Sequence, residues 1–276
     1  MTFFIYPAII LYFVATGLWL GFFLAQREGL CRGGAWVMAA GLGFHTLDLV
    51  LRTLSRGYLP AATPGEALAV FDWALVAAFL FFNWRYPIKV LGVLAAPLAA
   101  LILSGSLILP RGAGEVAPML QSFWLLFHIA LALLGNAALT LAFLVGILYL
   151  IQERQLKAKK FGFFYHRLPS LEQLDHLNYY SLTLGFPLLT GGIISGSLYA
   201  QYTLGRFFSL DPKEILTYIA WFIYAVLLHE RLTMGWRGRR AALMAIWGFL
   251  VLVCTFVAAS LWLGGYHSFQ SFIKQP

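Results

Sequence analysis

Four of the six histidines lie inside or at the edge of long apolar stretches of the sequence. They are His45, His128, His229 and His267. Ionisable side chains are costly inside a membrane segment, and where they occur they mark ligand sites, ion pathways or proton relays. The four imidazoles are therefore candidates for binding a metal or haem iron, for passing protons, or for hydrogen bonding between helices.

The surrounding residues favour haem iron over zinc as the ligand of these histidines. Zinc usually takes four ligands and would add Cys or carboxylate groups, whereas haem iron takes one or two axial histidines and an apolar, aromatic slot. The segment 198–214 supplies aromatic side chains for such a slot: Tyr199, Tyr202, Phe207 and Phe208. We expect b-type, non-covalent haem, because no Cys-x-x-Cys-His motif is present. Proton relay and purely structural polarity remain open.

The composition places these residues in a membrane protein. Of 276 residues, 61% are hydrophobic and only 11% are charged, which a soluble domain does not carry without large exposed apolar patches. With about 20 apolar residues needed for each crossing, the sequence predicts an all-α transmembrane helical bundle of about eight spans, forming a single domain over 1–276. The spans are 3–25, 35–51, 66–84, 88–109, 120–151, 179–200, 215–232 and 241–264.

The net charge of +8 indicates a topology rather than a nucleic-acid partner. Of the 19 Lys and Arg residues, 13 lie in alternate connections between the spans. These connections are 25–34, 85–89, 152–178 and 231–240. Because cytosolic connections carry the excess of basic residues, we expect both termini and the aromatic loop 198–214 to lie outside.

This topology sorts the four histidines into two groups by depth. His128 begins an inward-running helix and His267 ends an outward-running one, so both are expected at the outer face. His45 and His229 are expected in the inner half, about 15 Å and about 5 Å from the cytosolic helix ends at 1.5 Å per residue. Two pairs of histidines at two depths are atypical of scattered core residues.

The cytosolic connection 152–178 holds the other two histidines, His166 and His176. Neither has a partner at metal-ligand spacing, so we interpret both as solvated loop residues. The segment 168–174 begins with Leu-Pro-Ser and has an amphipathic pattern, which predicts a short helix lying along the membrane surface.

Several motifs resemble those of the cytochrome c assembly proteins, the haem-handling membrane family that includes the CcsA, CcmC and CcmF types and the shorter HemX type. The motifs are Ile194-Ser-Gly196, Asp211-Pro-Lys-Glu214, Ile219-Ala-Trp-Phe-Ile-Tyr-Ala225, Gly235-Trp-Arg-Gly-Arg-Arg-Ala-Ala242 and Gly265-Tyr-His-Ser268. The resemblance extends back to Glu66, Leu120-Gln-Ser-Phe-Trp124 and His128, and so covers most of the chain.

The resemblance implies roles for particular residues. His128 and His267 match the external histidines that ligate haem iron, and His45 and His229 match the transmembrane pair that holds haem on its way outward. Asp211 belongs to the motif that closes the family's tryptophan-rich loop. Two tryptophans that precede this motif in the family are replaced here by Phe208 and Leu210, which removes their N–H donors while Phe208 keeps an aromatic face.

The expected function is cytochrome c biogenesis in a bacterial cytoplasmic (inner) membrane. The chain would hold or translocate haem and present it at the outer face for attachment to apocytochrome c, with an assembly partner there. Its expected contacts are haem, membrane lipid and these proteins, and no residue is assigned a catalytic role. Two alternatives stay open: a HemX-like regulator of tetrapyrrole synthesis, and a haem-free transporter whose histidines relay protons.

Overall fold

The computed structural model describes residues 3–86, 89–111, 122–159, 162–208 and 212–261, and this part of the chain is all-α. Its helices are α1 (Ile5–Ala25), α2 (Glu28–Arg56), α3 (Pro64–Arg85), α4 (Leu91–Ile108), α5 (Phe123–Lys157), α6 (Phe163–Arg167), α7 (Leu171–Leu204), α8 (Pro212–Thr233) and α9 (Arg239–Leu261). All except α6 contain stretches long and apolar enough to cross a membrane. The predicted multi-pass bundle of about eight spans is confirmed.

Helix α2 begins seven residues earlier than the predicted span, at Glu28. An acidic residue in the first turn suits a helix N-terminus, and residues 28–32, which include Glu28 and Arg32, are helical before the apolar stretch begins. His45 therefore lies about 26 Å from the Glu28 end and about 17 Å from the Arg56 end, at 1.5 Å per residue. The expected depth of about 15 Å from the cytosolic helix end is therefore wrong, and His45 lies nearer the Arg56 end of α2, which is the outer end in the expected topology.

Helix α7 is also longer than predicted, at both ends. Ser170 and Gln173 form a capping box that starts the helix at Leu171, so 168–174 is not a separate surface helix. At the other end, residues 198–204 contain no Gly or Pro, and the helix continues to Gly205, which has a φ of 71° and ends it in the left-handed conformation. The predicted loop 198–214 is correspondingly shorter, because residues 198–204 are helical.

Helix α5 lies between two hydrophobic clusters and contributes to both. One cluster joins it to helices α1 to α4, through residues such as Leu141 and Val145. The other joins it to α7, α8 and α9, through Leu139 and Ala142. The 35 residues of α5 correspond to about 52 Å of helix, so the predicted long fifth span is confirmed.

Small residues bring α5 and α7 into close contact. A Cβ added to Gly135 would lie 2.7 Å from the backbone nitrogen of Leu189, and one added to Gly192 would lie 3.0 Å from Ala132. Such close backbone approach is typical of packed membrane helices. This tight packing fixes the position of the first turns of α5 against the last turns of α7.

Candidate functional site

His128 lies on the second turn of α5, against the last part of α7. Its Nδ1 is 2.8 Å from the carbonyl oxygen of Gly192. A Cβ added to Gly196 would lie 2.6 Å from His128 Cε1, so the glycine leaves the space that the ring occupies. One turn earlier on α5, Trp124 Nε1 donates to the Ser195 carbonyl over 2.8 Å. Two side chains of α5 thus contact one stretch of α7 backbone.

The hydrogen bond to Gly192 determines which ring nitrogen of His128 carries the proton. A carbonyl oxygen only accepts, so Nδ1 must be the donor, and the neutral imidazole then has its lone pair on Nε2. Histidines that bind metals commonly donate their other ring N–H to a backbone carbonyl in this way, which orients the ring. The residue therefore fits the role of an axial ligand to haem iron.

Two of the predicted aromatic residues, Tyr199 and Tyr202, lie on α7 beyond the point where His128 packs against it. Gly192, Gly196 and Tyr199 recur at helical spacing and share one face of the helix. Tyr199 is half-buried there, whereas Tyr202 is 88% exposed. Both tyrosines lie within about 9 Å of Gly196 along the helix axis. They are on the last two turns of α7, rather than in a loop as expected, because the helix continues to Leu204.

The other two predicted aromatic residues, Phe207 and Phe208, follow the end of α7 and are about half exposed. Phe208 makes an edge contact with Tyr218 of α8, with ring centroids 5.9 Å apart. The short connection therefore holds an aromatic ring against the next helix. Asp211 and His267 lie outside the described residues, and their roles stay predictions.

His45 lies on α2 and is fully buried where this helix packs against α1 and α3. Its Nδ1 lies 3.4 Å from the Tyr12 hydroxyl and 3.8 Å from Asp72 Oδ2. Its Nε2 has no hydrogen-bond partner in the part of the chain that the structure describes. An unpaired buried nitrogen fits a ligand role, but a fully buried ring must be uncovered before it can reach an iron.

A buried ionic network continues from this point to the Arg56 end of α2. Asp48 pairs with Arg52 at 2.8 Å, and Arg56 pairs with the buried carboxylate of Glu66 at the start of α3. Arg111, after α4, donates to the Ser106 carbonyl and hydroxyl. Burial first, and the Arg52 charge second, lower the pKa of Arg111. Glu66 is therefore the buried partner in an ion pair, as well as an acidic residue in the first turn of α3.

Sequence reasoning missed Asp72 and the length of this network. The signal was available, because Asp72 is the only charged residue in the apolar run 67–83, and a carboxylate inside a span is a functional candidate by default. The histidine at position 45, Asp48, Arg52 and Arg56 are also spaced by three or four residues, which places them on one face of a helix.

His229 lies near the end of α8, four residues before Thr233, and its side chain is exposed. That depth, about 6 Å from the helix end, agrees with the expectation from the sequence. Helix α8 packs mainly on α7 and α9, whereas α2, which carries His45, packs mainly on α1 and α3. The pairing of His45 with His229 in one site stays a prediction.

The connection 152–178 is helical over much of its length, so its histidines are not loop residues. His166 lies on α6, and His176 lies on α7 with its side chain 56% exposed. Within the described residues, no three His, Cys, Asp or Glu side chains are grouped so as to hold a metal ion.

The Asp175 carboxylate, at the start of α7, joins α7 to the end of α8 and the residues that follow it. It accepts a hydrogen bond from Arg231 over 2.6 Å and another from the Gly238 backbone N–H over 2.7 Å.

Comparison with known proteins gives one consistent family. The model of the family described as Cytochrome C assembly protein matches residues 65–267. A cytochrome c biogenesis protein CcsA of Synechococcus sp. (strain CC9605) is 32% identical, over 90% of this chain and 88% of its own length. A cytochrome c biogenesis protein CcsA of Synechococcus sp. (strain CC9902) is 34% identical, over 82% of this chain and 83% of its own length. One of Guillardia theta is 32% identical, over 81% of each chain.

The chain belongs to the cytochrome c assembly protein family. The resemblance found in the motifs is therefore confirmed, as is the expectation of a multi-pass membrane protein of cytochrome c biogenesis. Membership of this family implies haem handling. The type of haem, its ligands and the partners of the chain are matters of proposal.

Proposed function

We propose that the chain binds b-type haem non-covalently where α5 begins and α7 ends, and presents it there for attachment to apocytochrome c. The observation that carries this proposal is the 2.8 Å contact between His128 Nδ1 and the Gly192 carbonyl. That contact selects the tautomer a metal ligand needs. Tyr199 and Tyr202, on the following turns of α7, support the same location.

Each group in this site has a distinct role. His128 Nε2 would bind the haem iron, and His267 would supply the second ligand. The aromatic faces of Tyr199, Tyr202, Phe207 and Phe208 contact the porphyrin and exclude water from it. Two histidine ligands would leave no open position on the iron for a reaction, which suits holding and transfer better than catalysis at the metal.

A second haem position, at His45 and His229, belongs to the same proposal. The buried Nε2 of His45, unpaired within the described residues, supports it. Because the His45 ring is fully enclosed, haem reaches it only when α1 and α3 move away from α2. Haem would pass from this position to the one at His128.

The proposed orientation has both termini, the α7–α8 connection and the His128 site on the outer side of a bacterial cytoplasmic membrane. The excess of Lys and Arg in the opposite connections supports it. An outer-face assembly partner would supply the donors that are lost where Phe208 and Leu210 replace the family's tryptophans. The relatives named above support neither a regulator of tetrapyrrole synthesis nor a haem-free transporter.

Complementation of a deletion strain tests this function. The wild-type gene should restore haem staining of c-type cytochromes, and a His128→Gly variant should not, although it is present in the membrane at the same level. Imidazole in the growth medium should return part of the staining by filling the vacated iron position. Full complementation by His128→Gly without imidazole would contradict the proposal, as would accumulation of haem precursors with normal c-type cytochromes in the deletion strain.

A further inference from the structure

A cavity of about 410 Å³ lies at the end of the bundle where α8 ends and α9 begins. Three elements line it: α5 through Tyr149, the first turns of α7 through Glu172 and His176, and the connection between α8 and α9 through Arg237. Its volume is within the range of ligand sites, which is about 300–1,000 Å³. None of these residues belongs to the haem positions proposed above.

A glycine and a carboxylate set the shape of this cavity. Gly238 has a φ of 67°, and a Cβ at this position would lie 2.5 Å from the Tyr149 hydroxyl oxygen. The Gly238 N–H donates to one oxygen of Asp175 over 2.7 Å, and Arg231 donates to the other over 2.6 Å. Because both of its oxygens already accept hydrogen bonds, Asp175 fixes the wall of the cavity, and other side chains must bind a ligand.

The remaining polar groups of the cavity include both donors and a carboxylate. Within the part of the chain that the structure describes, Arg237 has no ion pair and the Tyr149 hydroxyl has no hydrogen bond. Glu172 has one charged or titratable neighbour in the same part of the chain, His176, whose Nε2 is 3.8 Å from its Oε1. The guanidinium and the hydroxyl can donate to an anion, and the carboxylate can accept from a cation. A ligand that satisfies all three groups therefore carries both charges.

The residues beside the cavity place it at the level of the lipid headgroups. Trp236 precedes Arg237 and is half-buried, and the Arg240 guanidinium lies 5.3 Å from the centroid of its ring. Tryptophan is enriched at the boundary between membrane and water, and basic side chains there are attracted to lipid phosphates. The nearest source of a ligand with both charges is therefore the membrane itself.

We propose that this cavity binds the headgroup of phosphatidylethanolamine, with the phosphate on Arg237 and Tyr149 and the ammonium on Glu172. A primary ammonium offers three N–H donors to a carboxylate, and the quaternary ammonium of phosphatidylcholine offers none. Phosphatidylglycerol offers a phosphate without a cation, so it leaves Glu172 without a partner. The bound lipid joins α5, α7 and the connection between α8 and α9.

Native mass spectrometry of the full-length protein, purified in detergent and stripped of lipid, tests this selectivity. Phosphatidylethanolamine, phosphatidylglycerol and phosphatidylcholine with identical acyl chains are added one at a time. The wild-type protein should bind phosphatidylethanolamine about fivefold more tightly than the other two, the upper range for one exposed ion pair. Arg237→Gln should weaken phosphatidylethanolamine and phosphatidylglycerol by a similar factor, whereas Glu172→Gln should weaken phosphatidylethanolamine alone.

Two matched controls lie on the same connection. Gly238→Ala places a Cβ against Tyr149 and should abolish the preference for phosphatidylethanolamine. Gly235→Ala should keep it, because Gly235 has nearly the same φ, 66°, and nothing lies within 4 Å of its new Cβ. Arg240→Gln should also keep the preference, because Arg240 does not line the cavity. If Gly238→Ala does not insert into the membrane, the comparison of Arg237→Gln with Arg240→Gln decides.

Three results would overturn the inference. The first is equal binding of the three lipids by the wild-type protein, and the second is an equal loss in Arg237→Gln and Arg240→Gln, which would show a general attraction to lipid charge. The third concerns the source of the headgroup. If soluble phosphoethanolamine binds as tightly as the lipid, the ligand is a free small molecule, and the assignment to a membrane lipid is wrong.

Discussion

Replacing Gly196 by Ala should disturb the orientation of His128 without removing its imidazole. The new Cβ would lie 2.6 Å from His128 Cε1, whereas ordinary contacts begin near 3.4 Å. The ring must therefore move away from α7 by up to 0.8 Å. Because the Gly192 carbonyl is on the same helix, the 2.8 Å hydrogen bond lengthens to as much as about 3.6 Å, which no longer counts as one.

The expected loss follows from that broken bond. One such hydrogen bond contributes about 1 kcal/mol, which is roughly a fivefold change in affinity, and misorientation of a metal ligand raises the total to about 10- to 100-fold. We expect the haem affinity of Gly196→Ala to fall within that range, measured by absorbance titration of the protein stripped of haem in detergent. Thermal unfolding, measured in parallel, separates this effect from a general loss of stability.

Gly191→Ala is the matched control, since the nearest atom to its new Cβ would be Leu131 Cδ1 at 3.3 Å, at the end of a flexible side chain. A double-mutant cycle with His128→Gly adds a second check. Gly196→Ala should cost nothing further once the imidazole is absent. Wild-type haem affinity in Gly196→Ala, or an equal loss with and without His128, would refute the proposed role of this contact.

Three further predictions concern the topology, the aromatic connection and the buried ion pair. Reporter fusions after Lys160 and after Gly238 should score cytosolic, because their connections carry the excess of basic residues. Replacing both Phe207 and Phe208 by Ala should lower haem occupancy while membrane insertion is kept, since each aromatic pair contributes about 0.5–1.5 kcal/mol beyond burial. Glu66→Ala should lower stability by about 2 kcal/mol in thermal unfolding, less than a fully buried pair costs, because its guanidinium partner is partly exposed.

Controls for these variants lie at the other end of the bundle. Phe163 and Phe164 of α6 are exposed to a similar extent, so their double replacement by Ala should leave haem occupancy unchanged. Glu28→Ala removes one partner of the exposed pair with Lys89 and should hardly change stability. External reporter activity at either fusion site would mean that a span was missed or added. If Glu66→Ala unfolds at the wild-type temperature, the ion pair with Arg56 does not contribute to stability.

The number of spans could be predicted because it depends on local sequence, whereas the packing of α5 on α7 could not. Apolar run length determines a membrane helix, but glycines at helical spacing indicate close approach without showing which helix approaches. Helix ends were predicted less well. Residues 28–32 and 171–177 are polar enough to look like connections, yet the chain remains helical through them.

The surroundings of His45 could not be predicted from its own span. Tyr12 and Asp72 come from two other helices, and their approach to Nδ1 depends on the packing of α1, α2 and α3. For His128 the sequence predicted a ligand role and nearby aromatic residues. The hydrogen bond to the Gly192 carbonyl could not be predicted, because every residue has a backbone carbonyl and the residue type does not show which one accepts.

The most direct test of the central claim is the absorbance spectrum of the purified protein and its single-ligand variants. Wild-type protein should show the low-spin spectrum of haem with two axial imidazoles. His128→Gly and His267→Gly should each lose that spectrum and recover it when imidazole is added. If both variants keep the wild-type spectrum while His45→Gly or His229→Gly loses it, the site at His128 is wrong, and haem is held only at the second position.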